Sequence, residues 1–185
     1  MLLAINNGSK CWLNETSKGH LLQSLPENSN FPYTTLLLND FDFDLHLQRL
    51  NYLPSTPISA EAFRVGLQLA RDEFPGQNVR VMAVNRDGQL TILAEKIPEP
   101  SRRPAPVTVR LELCERLPRP APEFKTTAWL QERERKFPIP AGRDEVVLGL
   151  EGEEEVLEGL SSNFWVLKGK GPVEGYDMAG LMVFL

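Results

Sequence analysis

Three short segments carry side chains whose types and spacing could do chemistry. In the first, His46 and Arg49 lie three residues apart, on neighbouring positions of one helix face. A planar, permanently charged guanidinium such as that of Arg49 can hold a phosphate bidentately. The second is Phe124-Lys125-Thr126-Thr127-Ala128-Trp129, where Lys125 falls between a proline-rich extended stretch and a charged helical one. A partly desolvated lysine there is a nucleophilic amine and, once freed, a general base. The third is Glu158-Gly159-Leu160-Ser161-Ser162-Asn163-Phe164, in which Gly159 permits tight backbone next to a carboxylate. Taken singly, each has an ordinary alternative. By itself Arg49 reads first as a surface arginine on an amphipathic helix, and Lys125 as a solvated lysine. Glu158 reads as one more member of the acidic stretch Glu151, Glu153, Glu154 and Glu155.

Other chemistries lack their signatures. The chain has no glycine-rich dinucleotide loop, no P-loop and no paired-histidine zinc helix. Two histidines and many serines allow a Ser-His-Asp set on paper, but nothing in the spacing brings them together. Cys11 and Cys114 make neither a disulfide framework nor a zinc site, and they fit a reducing compartment. A net charge of -5 and a pI near 5.2 argue against nucleic acid as a partner. The basic residues between Arg102 and Lys136 are interleaved with Glu112, Glu115, Glu123, Glu132 and Glu134, the pattern of a solvated surface. No apolar run reaches the roughly 20 residues that span a bilayer. Met1 to Ile5 lacks the basic and long apolar regions of a secretory signal. The two N-x-S/T matches, at Asn7 and Asn14, are therefore read as chance. The expected location is intracellular, cytoplasmic by default, with a plastid left open.

The elements that must position these residues follow from patterning. At 185 residues, 42% hydrophobic and 24% charged, the chain can bury a sizeable core. Residues 1–30 are polar, poor in periodicity and read as an irregular lead-in, with short strands left open. A small α/β domain is expected over 31–100, in β-α-α-β-β order. Its parts are a strand at Tyr33 to Leu38, a helix capped by Asp42 and a helix from Ser59 to about Phe74. A hairpin of Val79 to Val84 and Leu90 to Glu95 about Arg86-Asp87-Gly88 completes it. Residues 101–122 read as a proline-rich linker with a strand at Val107 to Leu113. From 123 onward a charged helix at Trp129 to Lys136 precedes strands at Glu145 to Leu150, Glu155 to Glu158 and Asn163 to Leu167. Patterning fades from Lys168 to Leu185.

Taken together, the three segments resemble the fold-type IV (class IV) pyridoxal-phosphate enzymes, the group of branched-chain and D-amino acid aminotransferases and aminodeoxychorismate lyase. Tyr33-Thr34-Thr35 followed by His46-Leu47-Gln48-Arg49-Leu50 is similar to that family's strand and its H-L-x-R-L helix. Phe124 to Trp129 looks like its Schiff-base lysine segment, and Glu158 to Phe164 like its E-G-x-x-x-N segment. Their order, and the spacing from Lys125 to Glu158, match as well. The resemblance covers residues 31–168 and is nearest a plant-type subgroup with Lys-x-x-x-Trp. It implies an α+β fold with a small N-terminal α/β domain and a larger β-rich domain. It also implies pyridoxal 5'-phosphate as cofactor, with Lys125 carrying it as a Schiff base and Arg49 holding its phosphate. Glu158 would face the pyridine nitrogen, and Ser162 and Asn163 would complete the binding set. The implied activity is amino-acid transamination between small amino acids and 2-oxo acids in a homodimer. A lyase using the same residues, or an inactive paralogue that binds a full-length subunit, are the alternatives.

Two features depart from the family pattern. Trp129-Leu130 stands where better-known members carry a tyrosine shortly after the lysine. The tail Gly175 to Leu181 matches no later family segment, so the large domain, here 123–185, is expected to be incomplete.

Overall fold

A computed structural model describes residues 1–27, 29–53, 56–98, 109–114, 125–143, 145–151, 156–159, 163–170 and 177–184. Along the chain the elements are β1 (Leu2–Asn6), β2 (Ser9–Leu13), α1 (Ser17–Ser24), β3 (Pro32–Leu37), α2 (Phe43–Leu50), α3 (Ala60–Glu73), β4 (Val79–Arg86), β5 (Gln89–Lys96), β6 (Val109–Cys114), β7 (Lys125–Thr126), α4 (Thr127–Lys136), β8 (Glu145–Leu150), β9 (Val156–Gly159), β10 (Asn163–Lys170) and β11 (Asp177–Phe184). Their contacts divide them into two units. One holds the described residues up to 98 together with 125–132; the other holds 109–114 and those from 133 onward.

The first unit is an antiparallel sheet in the order β2-β1-β5-β4-β3-β7, with helices on both faces. Successive strand residues point to opposite faces. Leu3 and Ile5 of β1 therefore join Phe63, Leu67, Ala70 and Phe74 beneath α2 and α3, whereas Leu2 and Ala4 join Leu21 of α1 and Leu130 of α4. The expected β-α-α-β-β order is present as β3-α2-α3-β4-β5. Its helix starts also hold: the Asp42 carboxylate accepts from Leu45 N at 3.0 Å, and Ser59 Oγ from Ala62 N at 3.1 Å.

The first thirty residues differ from expectation. They are not an irregular lead-in, because β1 lies between β2 and β5 inside the sheet. Its Leu2-Leu3-Ala4-Ile5 run is buried on both faces, so it shows none of the alternation that marks a half-exposed strand. The pair Asn7-Gly8 turns β1 into β2 with φ 47° and 85°. That is the left-handed geometry of a two-residue hairpin, favoured by Asn-Gly. Asp87-Gly88, at φ 51° and 90°, does the same for β4 and β5. At Gly66, α3 lies tight against the sheet: a Cβ there would clash with Ile92 Cδ1.

Residues 125–132 also differ from the expected boundary at 123, because β7 pairs with β3 of the first unit. In the second unit β6 runs parallel to β8, and β9 runs antiparallel to β8 with an irregularity between Leu148 and Gly149. β10 and β11 form a separate antiparallel pair, from Asn163 opposite Phe184 to Lys170 opposite Asp177. The tail thus contains a strand where sequence patterning faded, since Gly180 and the evenly apolar run after it hide any alternation. The prolines of the expected linker lie outside the described residues. Among those residues, no helix is long and apolar enough to cross a membrane.

Candidate functional site

Two neighbouring residues of β3 organise the candidate site. Thr34, buried on the α2 side of the sheet, has its Oγ1 2.5 Å from His46 Nδ1. Tyr33 pairs with Lys125 across the β3–β7 ladder. Strand β3 therefore ties Lys125 to its edge through the backbone and α2 to its face through a side chain. Arg49 follows His46 by one helical turn and is half-buried, whereas Lys125 is exposed.

The electrostatics of His46 report which charges meet here. Its ring is 7% exposed and stands 5.9 Å, edge-on, from Phe41. Burial holds its pKa below the ordinary 6.5, and the Arg49 guanidinium lowers it further. Asp42 opposes the shift, and the Lys125 ammonium adds a last downward push. Two cations far apart in sequence thus act on one buried, neutral imidazole. A permanently charged fork and a primary amine that both act on one imidazole are a donor set that suits a phosphate ester bearing an aldehyde.

The lysine segment is fixed by its neighbours. Thr127 is fully buried; its Oγ1 donates to Ser29 O at 2.9 Å and accepts from Phe31 N at 2.9 Å. Its own N–H donates to Phe31 O at 2.8 Å. Thr126 Oγ1 accepts from Trp129 N at 3.3 Å and so caps α4. Trp129 is buried.

Of the five residues singled out from sequence, Arg49 and Lys125 are thus brought into one electrostatic neighbourhood. Glu158 belongs to the second unit, on β9 opposite Leu148, and Asn163 opens β10 there. Ser162 lies outside the described residues. Thr34 and Thr127 were not among the residues singled out. Both lie inside segments quoted above, but a hydroxyl's partners are set by tertiary packing, so residue type alone did not mark them. A cavity of about 330 Å³ lies between α3 and the two hairpin turns, but its lining, which includes Ile5, Val65, Leu69 and Ile92, offers no titratable group.

No family model matches the chain, and no curated protein matches it. Among solved structures it is similar to the crystal structure of a candidate branched-chain amino acid aminotransferase from Thermotoga maritima. The TM-score is 0.63 at 21% identity, and the match covers 90% of this chain and 63% of that one. The chain therefore has a mixed α/β, aminotransferase-like fold built on an antiparallel sheet, and it spans 63% of the length of that structure.

Proposed function

We propose that this chain belongs to a pyridoxal-phosphate-dependent transaminase of amino acids, with small amino acids and 2-oxo acids as substrates. The observation that carries the reading is that β3 pairs with Lys125 at Tyr33 while its next residue, Thr34, bonds His46, one helical turn before Arg49. Within a fold similar to an aminotransferase structure, it supports one anion-binding and one amine function about the same strand. Arg49 would hold the cofactor phosphate, for which its guanidinium offers paired N–H donors. The Lys125 amine would hold the cofactor through its aldehyde and would serve as the base that moves the proton on the substrate Cα. When bound, the cofactor supplies the electron sink for the charge left at that carbon. The family resemblance would give Glu158 the role of keeping the cofactor's ring nitrogen protonated, and Ser162 and Asn163 a place in the binding set. His46, neutral and tied to Thr34, leaves the positive charge of the site to Arg49 and Lys125.

The test is cofactor titration of the purified 185-residue chain, followed by absorbance near 400–430 nm, the range implied for the cofactor joined to a lysine, and by borohydride reduction. The expected result is an adduct that reduction makes permanent and that mass spectrometry locates on Lys125. It should vanish in Lys125→Ala. Arg49→Ala should weaken cofactor binding about tenfold or more, from loss of about 1.5–3 kcal/mol in hydrogen bonds to a charged group. Failure of a folded sample to form the adduct would sink the reading for this chain.

A further inference from the structure

The far edge of the same sheet carries a second feature, independent of the proposed chemistry. β2 is an edge strand, and among the described residues nothing pairs with its outer side. The direction of its backbone groups can be fixed. Asn7 N–H bonds Leu90 C=O on the β5 side, so the odd residues of β1 face β5 and the even ones face β2. Leu2, Ala4 and Asn6 therefore bond their partners Leu13, Cys11 and Ser9. The groups left facing outward are those of Lys10 and Trp12.

That phase makes the edge complementary to itself. An antiparallel second copy that sets Lys10 opposite its Trp12 lets each such pair exchange both hydrogen bonds, and all of Ser9 to Leu13 take part. The alternative with outward groups aligned at Lys10 sets Lys10 against Lys10, which like charge disfavours. The alternative aligned at Trp12 uses less of the strand. Lysine on an edge strand ordinarily repels an incoming strand. Here its charge is met by Glu73 of α3 at 2.5 Å, with Trp12 edge-on to Phe74 at 5.4 Å beside it. In the favoured register, Lys10 with its Glu73 meets an aromatic face instead of another ammonium. Trp12 is 42% exposed, the largest apolar side chain available on that strand.

We propose that β2 is a self-association edge, on which a second copy of this chain adds its own β2 antiparallel, in the register centred on Cys11. A five-residue strand buries less than the about 1,200 Å² of a standard interface, so the pairing is weak and needs trapping. The register supplies the trap. Cys11 is exposed, and its backbone groups face β1, so the two Cys11 residues form a non-hydrogen-bonded pair. Such a pair has Cα atoms about 4.5 Å apart, within the roughly 4.4–6.8 Å that a disulfide spans.

The experiment uses the chain with Cys114→Ser, so that Cys11 is the one thiol, and glutathione disulfide as oxidant. One Cys11 thiolate attacks the glutathione disulfide and releases a glutathione thiolate. The second copy's Cys11 thiolate then attacks the mixed disulfide, releasing the other glutathione and closing the S–S bond. The expected product is a covalent dimer whose rate of formation rises with protein concentration. Glu73→Lys, which removes the charge that meets Lys10 and leaves the sequence of β2 unchanged, should slow it at least about tenfold. Moving the thiol, with Cys11→Ser and Ser9→Cys, should abolish it, because Ser9 faces Leu13 of the second copy in this register. No Cys11 dimer, or equal rates in all three proteins, overturns the proposal. None of these outcomes depends on cofactor binding at Lys125.

Discussion

Replacing Glu95 with Gln removes a charge that holds α1 onto the sheet. Glu95 is 9% exposed, and its carboxylate accepts from Ser17 Oγ at 2.6 Å and Ser17 N at 3.2 Å, in the first turn of α1. It also accepts from Arg80 Nε at 3.0 Å and Nη2 at 2.6 Å. Burial by itself raises its pKa, but the bonds from Ser17 and Arg80 outweigh it, and the net value lies below the ordinary 4.5. Arg80 is 44% exposed, so its ion pair is worth only about 0–1 kcal/mol. The larger loss is on the buried side. Ser17 is fully buried, and hydrogen bonds to a charged acceptor are worth about 1.5–3 kcal/mol. A glutamine retains one acceptor oxygen but must turn its NH₂ toward one of these donors. The expected cost at pH 7 is therefore about 2–3 kcal/mol, a fall of roughly 1–2 M in urea midpoint. The pH dependence provides the sharper check. Because the folded-state pKa is depressed, this stabilisation is fully present above about 4.5 and is lost as pH falls through the folded value. There the protonated carboxyl resembles the amide, so the gap between wild type and Glu95→Gln should close. Urea melts at pH 7 and at a pH well below 4.5 measure it. A gap that stays constant, or one below about 0.5 kcal/mol at pH 7, would refute the argument that charge at Glu95 does this work.

Three further outcomes are expected. Thr127→Val should cost about 1–3 kcal/mol by stranding the Phe31 N–H and the Ser29 carbonyl, while Thr127→Ser should retain most of it; equal losses in the two variants would contradict the hydroxyl's role. Gly66→Ala gains about 1 kcal/mol in helix propensity but overpacks Ile92 by about 1–3, for a net loss that Ile92→Val should relieve; strictly additive effects in the double mutant would count against the contact. By NMR, His46 should titrate below 6.5 and move upward in Arg49→Ala, because a repelling cation is gone; a downward move would remove the electrostatic link between them. As the folded value is depressed, the stability tied to His46 is full above about 6.5 and declines as pH falls through it.

The sequence by itself determined the elements whose signals are local. Asp42 and Ser59 cap their helices because a side-chain oxygen needs only the next turn's N–H, and Asp87-Gly88 turns a hairpin because its φ values are written into residue type. The same rule applied at Asn7-Gly8, where the pair was read as part of a chance glycosylation match. His46, Arg49 and Lys125 were legible as chemistry, because guanidinium, imidazole and amine keep their character in any fold. Tertiary structure decided what no window of sequence holds. It placed β1 inside the sheet, where burial on both faces erased its alternation, and assigned Lys125 to the first unit through its pairing with β3. It also brought the Arg49 and Lys125 charges to bear on one imidazole. That convergence depends on Thr34 and Tyr33 being consecutive on β3, one bonding a helix and the other pairing with a strand from much later in the chain. Long-range pairing of this kind is settled by packing and register across the sheet, and residue type carries no mark of it.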